Sequence, residues 1–178
     1  DTPDALGIED GGVVHVGEHV PGLELVPGLT ALDCEPLFRH ANAGNVEKLK
    51  ALLDGKLGGH PDAVRDSAGN TALLAALTGG QPQCAKLLLS RHANPNLQNK
   101  EDLSPLMLAC YKGHAQCVVV LLCAERQGAP AVALDTVSAK LRVTALVMAV
   151  QGSHEQCLQL LLSRGANPSL AACAELSP

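Results

Sequence analysis

A chain of 178 residues suits one domain with an appendage and is long enough to bury a real core. With no Trp, one Tyr and one Phe, it weighs against a sandwich of aromatic strands and favours short helices packed through Ala, Leu and Val. The net charge of −5 is unevenly placed, since residues 1–38 hold eight Asp/Glu and no Lys or Arg; the mildly basic remainder has no dense cationic cluster or stacking aromatics, which disfavours nucleic acid.

The chain opens on an acidic, Gly/Pro-rich arm, residues 1–34. Val-Pro-Gly-Leu occurs in it twice, six residues apart, and each Pro-Gly is a turn signal. Residues 13–20 have the β-branched content of a short strand. Such a segment cannot build a core by itself. It gains order against something else: the basic body, or a partner along which it lies as an added strand or clamp. A Gly-rich chain loses much entropy on ordering, which favours the partner. Val14, Val16, Leu23 and Leu25 are the side chains it offers.

The body repeats itself. "EPLFRHANAGNVEKLKALLDG" (residues 35–55) is a loose first copy of a pattern that is clear in "NTALLAALTGGQPQCAKLLLSRHANPNL" (70–97). At an offset of 33, Thr71 falls on Ser104, Leu73 on Leu106, Ala76 on Ala109, Gly80 on Gly113, Cys84 on Cys117 and Leu88 on Leu121. "VTALVMAVQGSHEQCLQLLLSRGANPSL" (143–170) follows at an offset of 40, which places a seven-residue insertion before it. The units divide at about 35–64, 65–97, 98–138 and 139–170, with a tail at 171–178. Each reads as helix, tight turn, helix, loop. Thr71, Ser104 and Thr144 stand where an N-cap belongs, with Pro105 at the first helical position. A glycine about nine residues on ends the first helix. Cys84, Ala85, Leu88 and Leu89 form the apolar stripe of the second. A lone unit cannot bury that stripe, whereas stacked neighbours share one core.

Ser104-Pro105-Leu106, Gly113-His114, Leu121-Leu122, Leu161-Leu162 and Gly165-Ala166, in register over residues 35–170, resemble the ankyrin-repeat family. The resemblance implies an all-α solenoid of stacked helix-turn-helix units carrying an extended N-terminal arm. It also implies a binding function rather than catalysis. Asp66-Ser67-Ala68-Gly69 keeps the family's finger pattern, while "TVSAKLR" before Thr144 does not. The His of the family's opening motif is replaced by Phe38, Leu74, Met107 and Val147. Losing its hydrogen bond implies less regular turns.

His114 with Cys117 and His154 with Cys157 repeat a His-x-x-Cys spacing, which puts both side chains on one helical face. Two such pairs could compose a zinc set. The second unit has Gln81 in place of His, so the pair is no property of the repeat. Cys84, Cys117 and Cys157 share one second-helix position with an apolar stripe on either side, where Cys packs as a small apolar residue. The two His fall in turns, where a turn hydrogen bond is expected. No GxSxG, Walker loop, GxGxxG or HExxH is present, and Asp62, Asp66 and Asp102 sit in loops and fingers. The sequence therefore gives no catalytic residue, no cofactor, no metal ligand and no small-molecule substrate. A redox or metal protein using the cysteines is the alternative from another class.

In the resembling family, partners dock on the fingers and the inner face of each first helix. Carried over by register, that surface comprises Arg39, Asn42, Lys100, Leu103, Leu108, Tyr111, Lys112, Lys140, Arg142, Met148 and Gln151. Tyr111 beside Lys112 is the favoured anchor, because Tyr and Arg dominate interface hot spots. The insertion around residues 124–140 is a second candidate, since its "APAVAL" is costly to leave in water. These features favour an accessory or scaffolding subunit of a larger protein assembly, with a free regulatory adaptor or inhibitor as the alternative. Seven widely spaced Cys without CxxC favour reduced thiols inside the cell. Asp1 in place of Met points either to a fragment or to a processed N-terminus; the latter implies an organelle such as a chloroplast or mitochondrion. The run at 118–124 is far too short to span a membrane.

Overall fold

The computed structural model describes residues 31–55, 60–124 and 129–173. Val14, Val16, Leu23 and Leu25 of the arm lie outside the described residues, as does the 125–128 part of the insertion. Among the described residues nine helices follow one another: α1 (Ala31–Ala43), α2 (Val46–Asp54), α3 (Ala72–Thr78), α4 (Pro82–Ser90), α5 (Pro105–Lys112), α6 (Ala115–Leu122), α7 (Ala145–Gln151), α8 (Glu155–Ser163) and α9 (Pro168–Cys173). No strand occurs among them. First helices α1, α3, α5 and α7 pack side by side, second helices α2, α4, α6 and α8 line up behind, and α9 rests on α7. The all-helical solenoid of the sequence reading is the observed architecture.

The N-caps hold as chemistry dictates. Leu74 N–H donates to Thr71 Oγ1 at 3.3 Å, Met107 N–H to Ser104 Oγ at 3.2 Å and Val147 N–H to Thr144 Oγ1 at 3.4 Å. All three cap residues are buried, so these bonds satisfy helix N–H groups that water cannot reach. The first unit departs from this start. There α1 begins at Ala31, ahead of Pro36, and takes in residues that composition assigns to the arm.

The turns depart in another way. Gly44, Gly80 and Gly113 supply left-handed φ values of 77°, 66° and 73°. In the fourth unit the equivalent position is Ser153 at φ 55°, while Gly152 keeps an ordinary φ of −80°. The expected helix-ending glycine is thus one residue early there. The 40-residue register from Gly113 falls on Ser153, and a serine bears the strain of that conformation.

Behind the caps runs one continuous core, including Leu49, Leu53, Leu73, Leu77, Leu88, Leu89, Leu106, Leu121 and Leu161. Cys84, Cys117 and Cys157 are fully buried in it, as their shared stripe position requires.

Loops are tied to their neighbours by side chains that accept from, or donate to, the next unit. Asn94 N–H donates to Asp62 Oδ2 at 2.6 Å, Ala133 N–H to Asn96 Oδ1 at 2.9 Å and Asn167 N–H to Asp135 Oδ1 at 2.9 Å. Asp62 is itself buried, and its Oδ1 has no partner among the described residues. Burial raises its carboxyl above the ordinary range, although the Asn94 N–H and Arg65 pull the other way. A raised acid binds its proton more readily folded than unfolded, so its contribution is fully present below about pH 4 and is lost as pH rises through the folded value. Asp62→Asn keeps an oxygen for Asn94 and removes the charge. Its melts are expected to match or exceed those of the parent at neutral pH, with the advantage shrinking toward pH 4. An advantage that grows on acidification would contradict the sign.

Candidate partner-binding surface

The fingers are built by the same device three times. In the first, Asp66 N–H donates to the Asn70 carbonyl at 3.0 Å, and Asp66 Oδ1 accepts from Ala68 and Asn70 N–H at 2.9 and 2.7 Å. In the next, Asn99 N–H donates to the Leu103 carbonyl, and Asn99 Oδ1 accepts from Glu101 and Leu103 N–H at 3.0 Å each. In the last, Ser138 N–H reaches the Val143 carbonyl at 2.9 Å and Ser138 Oγ accepts from Leu141 N–H at 3.2 Å. The side chain at the finger base folds the tip over itself, so the first two turns stay regular although the opening-motif His is missing, while at the last Ser138 accepts from one N–H only. The last finger holds one residue more than the other two. Gly69, Asp102 and Arg142 occupy its left-handed tip position at φ 76°, 57° and 54°.

The His-x-x-Cys pairs separate in space. His114 Nε2 donates to the Thr78 carbonyl at 3.3 Å and His154 Nε2 to the Tyr111 carbonyl at 3.1 Å. A carbonyl only accepts, so each Nε2 carries the proton. These bonds are not within the turn. Each His clasps the last carbonyls of the preceding unit's first helix, and the rings pack on Gly80 and Gly113. Gln81 instead donates from Nε2 to the Gly79 carbonyl in its own turn at 3.0 Å. The cysteines point the other way, into the core. Burial pushes the Cys117 thiol up to about 11 and raises that of Cys84; Cys110, hydrogen-bonded to Cys157, is also raised. Cys84, Cys110 and Cys117, held protonated in this way, are poor nucleophiles and poor ligands, whereas the Cys157 thiol is lowered by its hydrogen bond with Cys110 yet stays fully buried.

Between α5 and α7 a groove of about 400 Å³ opens on the inner face. It brings together six residues singled out by register: Leu103, Leu108, Tyr111, Lys112, Met148 and Gln151. Met148 differs from the expectation of a surface contact: it is only 6% exposed and makes part of the groove floor with Met107. Neighbouring units cover most of it, which the repeat register alone does not resolve. Tyr111 is 51% exposed, with Lys112 Nζ 5.7 Å from its ring centroid. The clasp from His154 pins the Tyr111 backbone, so the ring projects from a fixed base.

Arg39 and Asn42 lie apart, in a second groove of about 460 Å³ between α1 and α3 with Phe38, Asp66 and Asn70. Arg39 pairs there with Glu35 one turn away. Lys100 and Lys140 are finger residues, and Lys140 Nζ donates to the Lys100 carbonyl. Leu141 was missed by sequence reasoning. It lines the α5–α7 groove and is 50% exposed. A leucine between Lys140 and Arg142 was the available signal, masked because that finger breaks the pattern. In the insertion Ala129 is buried and Val132 and Leu134 pack on the core, while Ala131, Ala133 and Val137 are exposed. Asn96 Nδ2 holds the Ala131 carbonyl at 2.7 Å, which fastens this segment to the preceding unit.

Among the described residues no helix is long and apolar enough to cross a membrane. The family model described as ankyrin repeats (3 copies) matches residues 23–99 and 74–172. A probable E3 ubiquitin-protein ligase of Oryza sativa subsp. japonica is 33% identical over 133 residues, covering 73% of this chain and 28% of its own. The SH3 and multiple ankyrin repeat domains protein 2 of Homo sapiens is 35% identical over 144 residues, 80% of this chain and 7% of its own. An ankyrin repeat, SAM and basic leucine zipper domain-containing protein of Ornithorhynchus anatinus is 37% identical over 92 residues, 49% of this chain and 19% of its own. The chain thus spans 28% or less of the length of these relatives. With stacked two-helix units, finger turns and a family match that runs through nearly all of the described residues, the chain belongs to the ankyrin-repeat family.

Proposed function

We propose that this chain is a non-enzymatic protein–protein interaction module, an accessory or scaffolding part of a larger assembly, and that it grips its partner through the α5–α7 groove. One observation carries the reading: Tyr111, Lys112, Leu103, Leu108 and Gln151 converge on an apolar floor, with the tyrosine half exposed on a pinned backbone. A rigid aromatic beside an apolar pocket is what a hot spot needs, because little entropy is lost when it is covered. The ligase-named relative shares only 28% of its length with this chain, and no reaction is carried over from it.

Capture of a partner by the full chain, followed by titration with that purified partner, tests the proposal. Tyr111→Ala is expected to weaken binding by about 2 kcal/mol or more, roughly 30-fold. Gln159→Ala, on the opposite face between α6 and α8, is expected to leave it unchanged. Equal affinity of the Tyr111 variant and the parent, or a loss confined to the Gln159 variant, would move the site elsewhere.

A further inference from the structure

We propose that the α5–α7 groove takes an acidic segment of a partner protein, one whose apolar side chain enters between Tyr111 and Leu141 while carboxylates beside it meet Lys112 and Arg142. The inference rests on the groove of the proposed function and adds the chemistry of what fills it. Its floor and its rim lead there. Met107 and Met148 are buried beneath the groove, and Leu103, Leu108 and Leu141 complete an apolar lining with Tyr111. Methionine adapts to the shape of what enters, so the floor selects apolar character rather than one residue type.

The rim carries an excess of one charge. Lys112 lines the groove, and its Nζ lies 5.7 Å from the Tyr111 ring centroid, which holds the ammonium at the mouth. Lys140 and Arg142 flank Leu141 in the chain, and Leu141 lines the groove, so both lie at its rim. Lys140 Nζ donates to the Lys100 carbonyl. That bond ties the two fingers together, leaves the charge in place and leaves the ammonium two further N–H donors. Among the described residues none of Lys100, Lys112, Lys140 and Arg142 is ion-paired. Glu101 and Asp102 are the opposing carboxylates of these fingers, and α7 carries no charge, so cations outnumber anions four to two.

The other half of the inner face is balanced from within. Arg39 pairs with Glu35. Arg65, next to Asp66, donates to the Gly69 and Gln98 carbonyls at 3.4 and 3.0 Å. Attraction for carboxylates is therefore centred on the third and fourth units, where the apolar groove also lies. A nucleic-acid strand would use the same charges, but it has no side chain for the methionine floor, and Tyr111 is the chain's only Tyr for stacking.

A displayed library of random short peptides, selected on the full chain, is the probe. The enriched peptides are expected to share an apolar residue close to Asp or Glu. A labelled copy of one, titrated by anisotropy, is expected to bind Lys112→Glu with Arg142→Glu about tenfold more weakly than the parent. Lys112→Gln with Arg142→Gln is expected to lose less, and rising salt to weaken the parent most. Far-UV spectra verify the fold of both double variants. A consensus without carboxylates, no enrichment, or affinity indifferent to the charge variants and to salt overturns the proposal. Equal binding of a poly-glutamate peptide does so too, because charge then acts without the groove. The two readings fail separately. Affinity lost in Tyr111→Ala but kept in the charge variants sinks this inference and leaves the groove standing; affinity lost in the charge variants alone places the contact on the fingers and sinks both.

Discussion

Leu121→Ala is expected to lower the unfolding free energy by about 2–5 kcal/mol, out of a total of about 5–15 kcal/mol for a domain of this kind. Leu121 is fully buried in α6, the helix that packs against α4, α5 and α8. Truncation leaves a void that neighbours on several sides must share, and the array relaxes only partly around it. Because each unit leans on the next, the loss spreads through the stack instead of melting one unit alone. A urea titration with a parallel melt measures it. Leu162→Ala is the matched control: Leu162 is 46% exposed and its removal is expected to cost no more than about 0.5 kcal/mol. Equal midpoints for the Leu121 variant and the parent would mean that the stripe does not carry the core.

Gly79→Ala is the second large effect, and its sign is opposite to local expectation. Gly79 has φ −78° and ψ −3°, an ordinary helical conformation in which replacing Gly by Ala stabilises by about 0.4–1 kcal/mol when nothing is near. Here a Cβ would strike the Asn42 carbonyl oxygen, inside the 3.0 Å that such atoms keep. That oxygen is backbone, so relief requires α1 and α3 to move apart. Overpacking of this kind costs about 1–3 kcal/mol. Gly165→Ala separates the two causes, since nothing lies within 4 Å there and φ is +85°. It is expected to lose about 1 kcal/mol through backbone strain alone. Thermal melts of both variants check the pair, and a stabilised Gly79 variant would show that the first two units do not meet as described.

The repeat was legible because stacking is written in periodic, local terms. Thr71, Ser104 and Thr144 mark helix starts by a hydroxyl that one backbone N–H needs, and Leu88, Leu121 and Leu161 recur because every unit must bury the same stripe. Cys84, Cys117 and Cys157 were readable as core for that reason, although beside His114 and His154 they first suggest a metal. The inner groove was half legible. Register brought Tyr111, Lys112 and Leu108 to one face, but it placed Met148 on the surface and overlooked Leu141.

By itself the sequence determined the family, the succession of helices and the core, since these depend on residues a fixed spacing apart. Tertiary structure alone decided where the longer-range partners lie. His114 and His154 clasp carbonyls of the preceding unit, 36 and 43 residues away. Gly79 is required by a backbone that belongs to another unit. Leu141 and Tyr111, thirty residues apart, line the same groove. The physical reason is common to all three. Such contacts depend on how far one unit is turned and shifted against the next, and that offset is set by the sum of packing across the interface, which no local pattern records.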